Sequence, residues 1–372
     1  MKYYLIAGEA SGDLHGSNLM KALKIEDPAA DFRIWGGDLM QEAGGDLRKH
    51  YRDLAFMGFV EVLKNLRTIV RNLRFCEQDI LDYQPDALIL IDYPGFNLRI
   101  AKWAKQQGIK VLYYISPQIW AWHTSRVHQI KANVDRMYVI LPFEKDFYAK
   151  YNCEVDFVGH PLLDVVKNYA AAPDFRSKNG LTEVPIIALL PGSRKQEIIR
   201  MLSVMLEMAP LFPQYQFVIA GAPSMPAAFY EQILAEKQRP QNVKLVQKQT
   251  YDLLSQAEAA LVTSGTATLE TALFQVPEVV CYRGNNLSYQ IAKRLISVKY
   301  ISLVNLIVDK PLVKELIQND FNSKALHNEL EKILEPTLRQ EIKAGYAELQ
   351  LLMGDAGASR RAARLMHEKI ND

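Results

Sequence analysis

Residues 3–16 read YYLIAGEASGDLHG, an apolar run, Tyr3–Ile6, passing straight into a glycine-rich turn. A strand feeding such a turn usually presents backbone amides to a phosphate. Here the turn carries Glu9 and Asp13, whose charge would repel one. The strand-and-turn pattern therefore indicates a parallel α/β sheet, while the acids ask for a ligand other than a bare phosphate.

The same succession recurs down the chain. Strands are expected at Tyr3–Ala7, Phe32–Trp35, Ala87–Ile91, Val111–Ile115 and Arg136–Leu141, with helical patterns such as Gly16–Lys24, Val60–Leu81 and Leu98–Gln107 between them. A second series follows at Ile186–Leu190, Gln216–Ala220, Val243–Val246, Ala259–Thr263 and Val279–Tyr282. Short apolar runs alternating with amphipathic helices imply parallel sheets covered on both faces. The 372 residues suit two domains. We expect a Rossmann-like domain over 1–165 and another over 166–345. The polar stretch AAAPDFRSKNGLTEVP (170–185) lies at the join. A helical tail over 346–372 is expected to pack back on the first domain or on a partner subunit.

Composition narrows the function classes. Forty-four Lys and Arg against 42 Asp and Glu give no support to bulk nucleic-acid binding. Cys76, Cys153 and Cys281 form neither a zinc spacing nor a disulfide framework, so a reducing cytoplasm is expected. No run approaches the roughly 20 apolar residues of a spanning helix, so a soluble or surface-bound protein is expected.

In open parallel sheets, ligands gather at the carboxyl ends of the strands. In the second half those positions read LLPGSRKQE (189–197), IAGAPS (219–224, with Gly221) and VTSGTATLETAL (262–273). The first and third are a strand, a small-residue turn and a helix, an arrangement whose amides and dipole suit a diphosphate. Arg194 adds a cation that can fork onto phosphate oxygens. A plain turn is the bland alternative, and neither stretch is a Walker A. Glu270 sits one position too far along to pair with Thr266 in a capping box. It could hold both hydroxyls of a ribose, or be an ordinary solvated glutamate.

The first half carries acids at its strand ends instead. LILIDYPGFNLRIAKWAK (88–105) places Asp92 directly after a strand, with Pro94 and Gly95 forcing a turn. Asn97 is the better N-cap for the next helix, which leaves Asp92 as a candidate general base or a loop-stabilising Asx turn. In YYISPQIWAWHTSR (113–126), Trp120, Trp122 and His123 could offer a stacking surface or plug a core. His160 carries the same ambiguity.

Taken in order, AGEASGD, FMGFVEVL, SPQIWAW, LPFEKDFY, VGHPLLD, LPGSR, SGTATLE and SLVNLIVDKPLVKELIQ resemble the lipid-A-disaccharide synthases of Gram-negative bacteria. The resemblance runs from the first strand to about residue 320. Gly95 departs from it, since some members carry a second acid there. The resemblance implies a GT-B glycosyltransferase, two Rossmann-like domains facing a cleft. It implies a UDP-2,3-diacylglucosamine donor, a 2,3-diacylglucosamine 1-phosphate acceptor and a β-1,6-linked product. The α-linked donor makes the reaction inverting, which favours single displacement with one general base.

Within that resemblance Asp92 is first choice for the base, with Glu9 and Asp13 as rivals. Ser11 orients a hydroxyl or the donor, and Gly12 lets backbone approach the sugar. Arg194 and the amides of Gly192, Ser193, Ser264, Gly265 and Thr266 face the diphosphate, with Ala267 and Gly221 also in the UDP site. Glu270 holds the ribose, and Asn305, Trp120, His123 and His160 face the substrates. No Asp-x-Asp motif follows a strand, so neither metal nor other cofactor is expected. A UDP-N-acetylglucosamine 2-epimerase and a non-enzymatic nucleotide-sugar-binding module are the rival readings.

One segment bears on location. In residues 56–75, Val62, Leu66, Ile69 and Leu73 form one helical stripe, which Val60, Leu63 and Val70 widen. Lys64, Arg67, Arg71 and Arg74 make a basic stripe beside it. A buried amphipathic helix is one reading. Acylated substrates favour the other, reversible docking on a membrane. The expectation is a monomer or homodimer on the cytoplasmic face of the inner membrane.

Overall fold

A computed structural model describes residues 1–53, 66–122, 124–284 and 299–372, the side chains of Leu66 and Trp122 excepted. The chain forms two compact units, Met1–Asp164 with Asp355–Asp372, and Val165–Gly354.

The first unit is built on a seven-stranded sheet of β1 (Lys2–Ala7), β2 (Asp31–Gly36), β3 (Asp46–His50), β4 (Ala87–Ile91), β5 (Val111–Tyr114), β6 (Arg136–Val139) and β7 (Val155–Phe157). Their order is β3-β2-β1-β4-β5-β6-β7, all parallel. Every residue of β4, ALILI, is buried, as a central strand covered on both faces requires. The second unit carries β8 (Ile186–Leu190), β9 (Gln216–Gly221), β10 (Val243–Gln247), β11 (Ala257–Thr263), β12 (Glu278–Tyr282) and β13 (Lys314–Ile317). Their order is β10-β9-β8-β11-β12-β13, again all parallel.

The ten strands read from sequence are present. β3, β7 and β13 were not foreseen, and each lies at a sheet edge. Edge strands have one unpaired side and tolerate polar residues, so DLRKH, VDF and KELI show no continuous apolar run.

Two helix boundaries also differ from the sequence reading. The first helix runs Ala10–Glu26, so most of the glycine-rich stretch is helix and only Gly8 and Glu9 form the turn. The helix after β4 is Pro94–Gln106, which puts Asn97 inside it rather than at its cap.

The chain returns to the first unit at Asp355. There the helix Ala358–Asn371 buries Ala362, Ala363 and Met366 against Tyr3, Leu5 and Leu19. Arg361 Nε donates to the Val158 carbonyl at 2.9 Å, and Asp164 accepts the Gly357 N–H. The preceding helix, Pro336–Met353, belongs to the second unit, so the tail divides near residue 354 rather than 346. No helix among the described residues is long and apolar enough to cross a membrane.

Candidate functional site

In both sheets the strand order reverses beside the first strand of the unit, between β1 and β4 and between β8 and β11. Diverging crossovers leave a crevice at such a point, where α/β sheets bind ligands.

At the β1–β4 crevice, Ala7 and Ile91 are register partners, so Glu9 and Asp92 emerge side by side. Asp92 and Tyr93 both take left-handed backbone, with φ of 44° and 48°. Such residues cost about 1–3 kcal/mol each and persist only where surroundings hold them. Three contacts hold this pair. Asp92 N–H donates to the Tyr114 carbonyl, and the Asp92 carbonyl accepts from Asn97 Nδ2 at 2.8 Å and from the Tyr113 hydroxyl. Asn97, fully buried, also donates to the Ile91 carbonyl at 3.2 Å. The Tyr93 ring lies over Gly8, where an added Cβ would come within 2.2 Å of it. Burial first, and then the neighbouring Glu9 charge, push the Asp92 carboxyl up to about 6. A carboxylate poised there can accept a proton near neutral pH.

Asp13 is corrected by its partners. Its Oδ1 accepts the N–H of Gly37 (2.7 Å) and of Met40 (3.0 Å), and its Oδ2 that of Leu39 (3.1 Å). A buried carboxylate spent on three amides caps the helix Asp38–Glu42 and cannot act as a base. Ser11 is exposed and Gly12 buried in the first turn of the helix Ala10–Glu26.

His160 is not a ligand-facing side chain. It is 4% exposed, its Nδ1 accepts the Leu162 N–H at 3.2 Å, and burial with the nearby His15 drives it down to about 3. Trp120 packs edge-on against Phe143, with centroids 4.9 Å apart. His123 lies outside the described residues. Beside Trp120 is a group the sequence reading missed. Glu144 accepts the N–H of Leu141 at 2.9 Å and of Ile140 at 3.2 Å, and burial pushes it up to about 8. A proline followed two residues later by glutamate at a helix start was the available signal.

The β8–β11 crevice has the opposite character. Gly192–Arg194 follow β8, Gly221 ends β9, and Ser264–Thr266 follow β11. Gly192 has φ of 109°, and a Cβ there would strike Glu197 at 2.2 Å. That Glu197 accepts the Ser193 N–H at 3.1 Å, so this amide is not the open donor the sequence suggested. Arg194 is exposed, and among the described residues no acid is paired with it. Ser264 Oγ donates to the Ile301 carbonyl at 2.8 Å. Gly265 caps the helix Thr266–Leu273, with Thr266 exposed and Ala267 half-buried. Glu270 receives the Tyr251 hydroxyl on Oε1 at 2.8 Å, and burial raises its carboxyl. Tyr251 is 19 positions away, and nothing in the sequence marks the pair.

Asn305 is a second correction. It is 1% exposed, and it pairs with both the N–H and the carbonyl of Val313 at 2.9 Å. Its amide also donates to Glu315, which ties together Ile301 and Ser302. Its polar atoms are taken up by the Val313 backbone and the Glu315 carboxylate rather than left open as the sequence reading expected. Among the described residues no group of three or more His, Cys, Asp or Glu side chains is placed to hold a metal ion.

The sequence profile of the lipid-A-disaccharide synthetases matches residues 3–369. The chain belongs to that family. A lipid-A-disaccharide synthase of Syntrophus aciditrophicus is 43% identical over 365 residues, covering 96% of this chain and 95% of the relative. Among solved structures, a UDP-GlcNAc 2-epimerase from Neisseria meningitidis bound to UDP-GlcNAc superposes with a TM-score of 0.67 at 13% identity, covering all of both chains. The glycotransferase of kitacinnamycin superposes at 0.65 and 13% identity, covering 99% of each. At such identities these two show the fold alone, the GT-B fold, which serves several chemistries. Sequence relatedness separates the lipid-A-disaccharide synthase family from the epimerases that share its architecture.

Proposed function

We propose that the chain moves 2,3-diacylglucosamine from its UDP conjugate to the 6-hydroxyl of 2,3-diacylglucosamine 1-phosphate. The products are a β-1,6-linked disaccharide 1-phosphate and UDP. Family membership over residues 3–369 carries this reading. Asp92 takes the proton as the hydroxyl oxygen attacks the anomeric carbon. The bond from that carbon to the diphosphate breaks, and its electron pair leaves with UDP. The raised Asp92 carboxyl and its strained turn support the assignment. Glu9, beside it, favours positive charge at the reacting carbon, and Ser11 orients a hydroxyl.

The second unit holds UDP. Arg194 stabilises the charge growing on the departing diphosphate, together with the amides of Gly265 and Thr266. The free oxygen of Glu270 takes the ribose, its partner being fixed by Tyr251. Incubating the protein with both acylated substrates and resolving products by mass tests the proposal. A disaccharide 1-phosphate with stoichiometric UDP supports it. Epimerised UDP-N-acetylglucosamine without acceptor, or tight UDP binding without turnover, would replace it.

The protein docks reversibly on the cytoplasmic face of the inner membrane through residues 56–75. Of that segment, Val60, Val62 and Leu63 lie outside the described residues, as does the side chain of Leu66. In the helix Leu66–Tyr83, Arg67, Val70, Arg71 and Arg74 line one open depression, and Val70 is 46% exposed. Ile69 is half-buried, and Leu73 packs against the core, so the outward apolar face is narrower here than the full stripe. An apolar residue ringed by three arginines suits anionic headgroups, each cation adding about 1 kcal/mol.

A further inference from the structure

A groove of about 700 Å³ runs over the first unit between the helices Pro94–Gln106 and Arg126–Asn133. Pro94 and Gly95 form one end, two and three residues beyond Asp92, and Arg99, Lys102, Arg126 and His128 line it. Among the described residues no Asp or Glu lines it. Cations on the neighbouring surface do find acids: Lys105 pairs with Asp135, and Arg136 with Asp156 and Glu154. Arg99 and Lys102 stand three apart on one helix and so share a face. Arg99 spends one nitrogen on the Gly95 carbonyl at 2.7 Å and keeps its other N–H groups. A side chain at Gly95 would meet open space, so glycine leaves this end clear.

Arg126 ties the groove to the chemistry. It lies within electrostatic reach of the Tyr113 hydroxyl, which donates to the Asp92 carbonyl. Three permanent cations with no carboxylate among the described lining residues, in a groove whose lining begins two residues beyond the candidate base, suit a dianionic phosphate monoester. We infer that this groove holds the anomeric phosphate of the acceptor, with Arg99, Lys102 and Arg126 as its ligands, while the 6-hydroxyl of the same sugar faces Asp92. This rests on the glycosyltransferase reading above. It makes the acceptor phosphate a recognition handle that anchors the acceptor equally before and during transfer.

The test compares two water-soluble acceptors with short 2,3-acyl chains, one bearing the 1-phosphate and one lacking it. Arg99→Glu/Lys102→Glu should raise the KM for the phosphorylated acceptor about tenfold or more and leave kcat nearly unchanged. Use of the phosphate-free acceptor, and the KM for donor, should not change. Arg126→Gln, which adds no repulsive charge, should act in the same direction more weakly. Calorimetric titration of the phosphorylated acceptor, which needs no turnover, should show the same loss of affinity. Equal losses on both acceptors, or unchanged binding, overturn the inference. So does loss of binding to anionic phosphatidylglycerol vesicles with acceptor affinity intact, which would make the groove a headgroup contact. A parent that binds the phosphorylated acceptor but makes no disaccharide refutes the proposed activity and leaves the groove standing.

Discussion

At the β1–β4 crevice, Glu9 follows β1 in extended backbone and Asp92 follows β4 on a left-handed turn held by Asn97, Tyr113 and Tyr114. At the β8–β11 crevice, the corresponding positions are Gly192, Ser193, Arg194, Ser264 and Gly265. The sheets share the order 3-2-1-4-5-6 when strands are counted within each unit, the first adding one more edge strand. Topology therefore does not distinguish them; the turn chemistry does. One crevice gathers negative charge and pays backbone strain to aim a carboxylate. The other gathers amides and a cation on small residues. A fold repeated with opposite charge at its two switch points can serve a neutral sugar hydroxyl in one half and a diphosphate in the other.

The sharpest break would come at Asp92. Asp92→Asn should lower turnover by roughly a hundredfold or more, the scale for removing a general base. UDP affinity should hold, since the proposed nucleotide site lies in the other unit. Stability should move the opposite way. The unfolded carboxyl titrates near 3.8 and the folded one near 6, so the folded chain keeps a proton between those values. Stability is therefore lost as pH rises through that window, and the asparagine variant should melt higher than the parent at pH 7. Parent activity should climb with pH through about 6. A variant with near-normal turnover would move the role to Glu9.

Arg194→Ala probes the other half, and its effect should be smaller. UDP binding and transfer should both weaken, transfer by about tenfold to a hundredfold, because diphosphate charge grows toward the transition state. Magnesium should not restore it, and a chelator should leave the parent active. Strong inhibition by chelator would break the assignment of charge stabilisation to protein groups.

A pair of variants separates the acid before the first helix from the acid within it. Asp13→Asn should cost about 1–3 kcal/mol of stability, because it weakens a cap on three amides. Glu9→Gln should leave melting unchanged and slow transfer. Thermal denaturation beside initial rates reads both, and equal melting points would remove the cap argument.

The smallest kinetic effect should come from Leu66→Ser/Ile69→Ser. Vesicle binding should fall, high salt should weaken the parent's binding, and UDP affinity should not change. An unfolded variant together with negligible vesicle binding by the parent would place these residues in a core instead.

Nine of the ten strands read from sequence are inner ones, legible because a strand buried on both faces must be locally apolar, as ALILI in β4 is. Their carboxyl ends then pointed to the turns that carry Asp92 and Arg194 and to the helix that carries Glu270, the candidates proposed above. β3, β7 and β13 escaped because these edge strands between them carry mostly polar residues, whereas the fourth edge strand, β10, keeps Val243, Leu245 and Val246 and was legible. The side chains that were misread share one property. Asp13 is decided by amides 24 to 27 positions away, Asn305 by Val313 and Glu315, and His160 by burial beside His15. Asn97 looks like a cap in the chain and is a staple in the fold. Hydrophobic pattern is local information, and it determined the class of fold and the ends of strands where ligands gather. Whether a polar side chain at such an end is spent on backbone or left to a ligand depends on partners brought in by other elements. That allocation was made only by the tertiary structure, because a buried polar group must be paired and only packing decides with what.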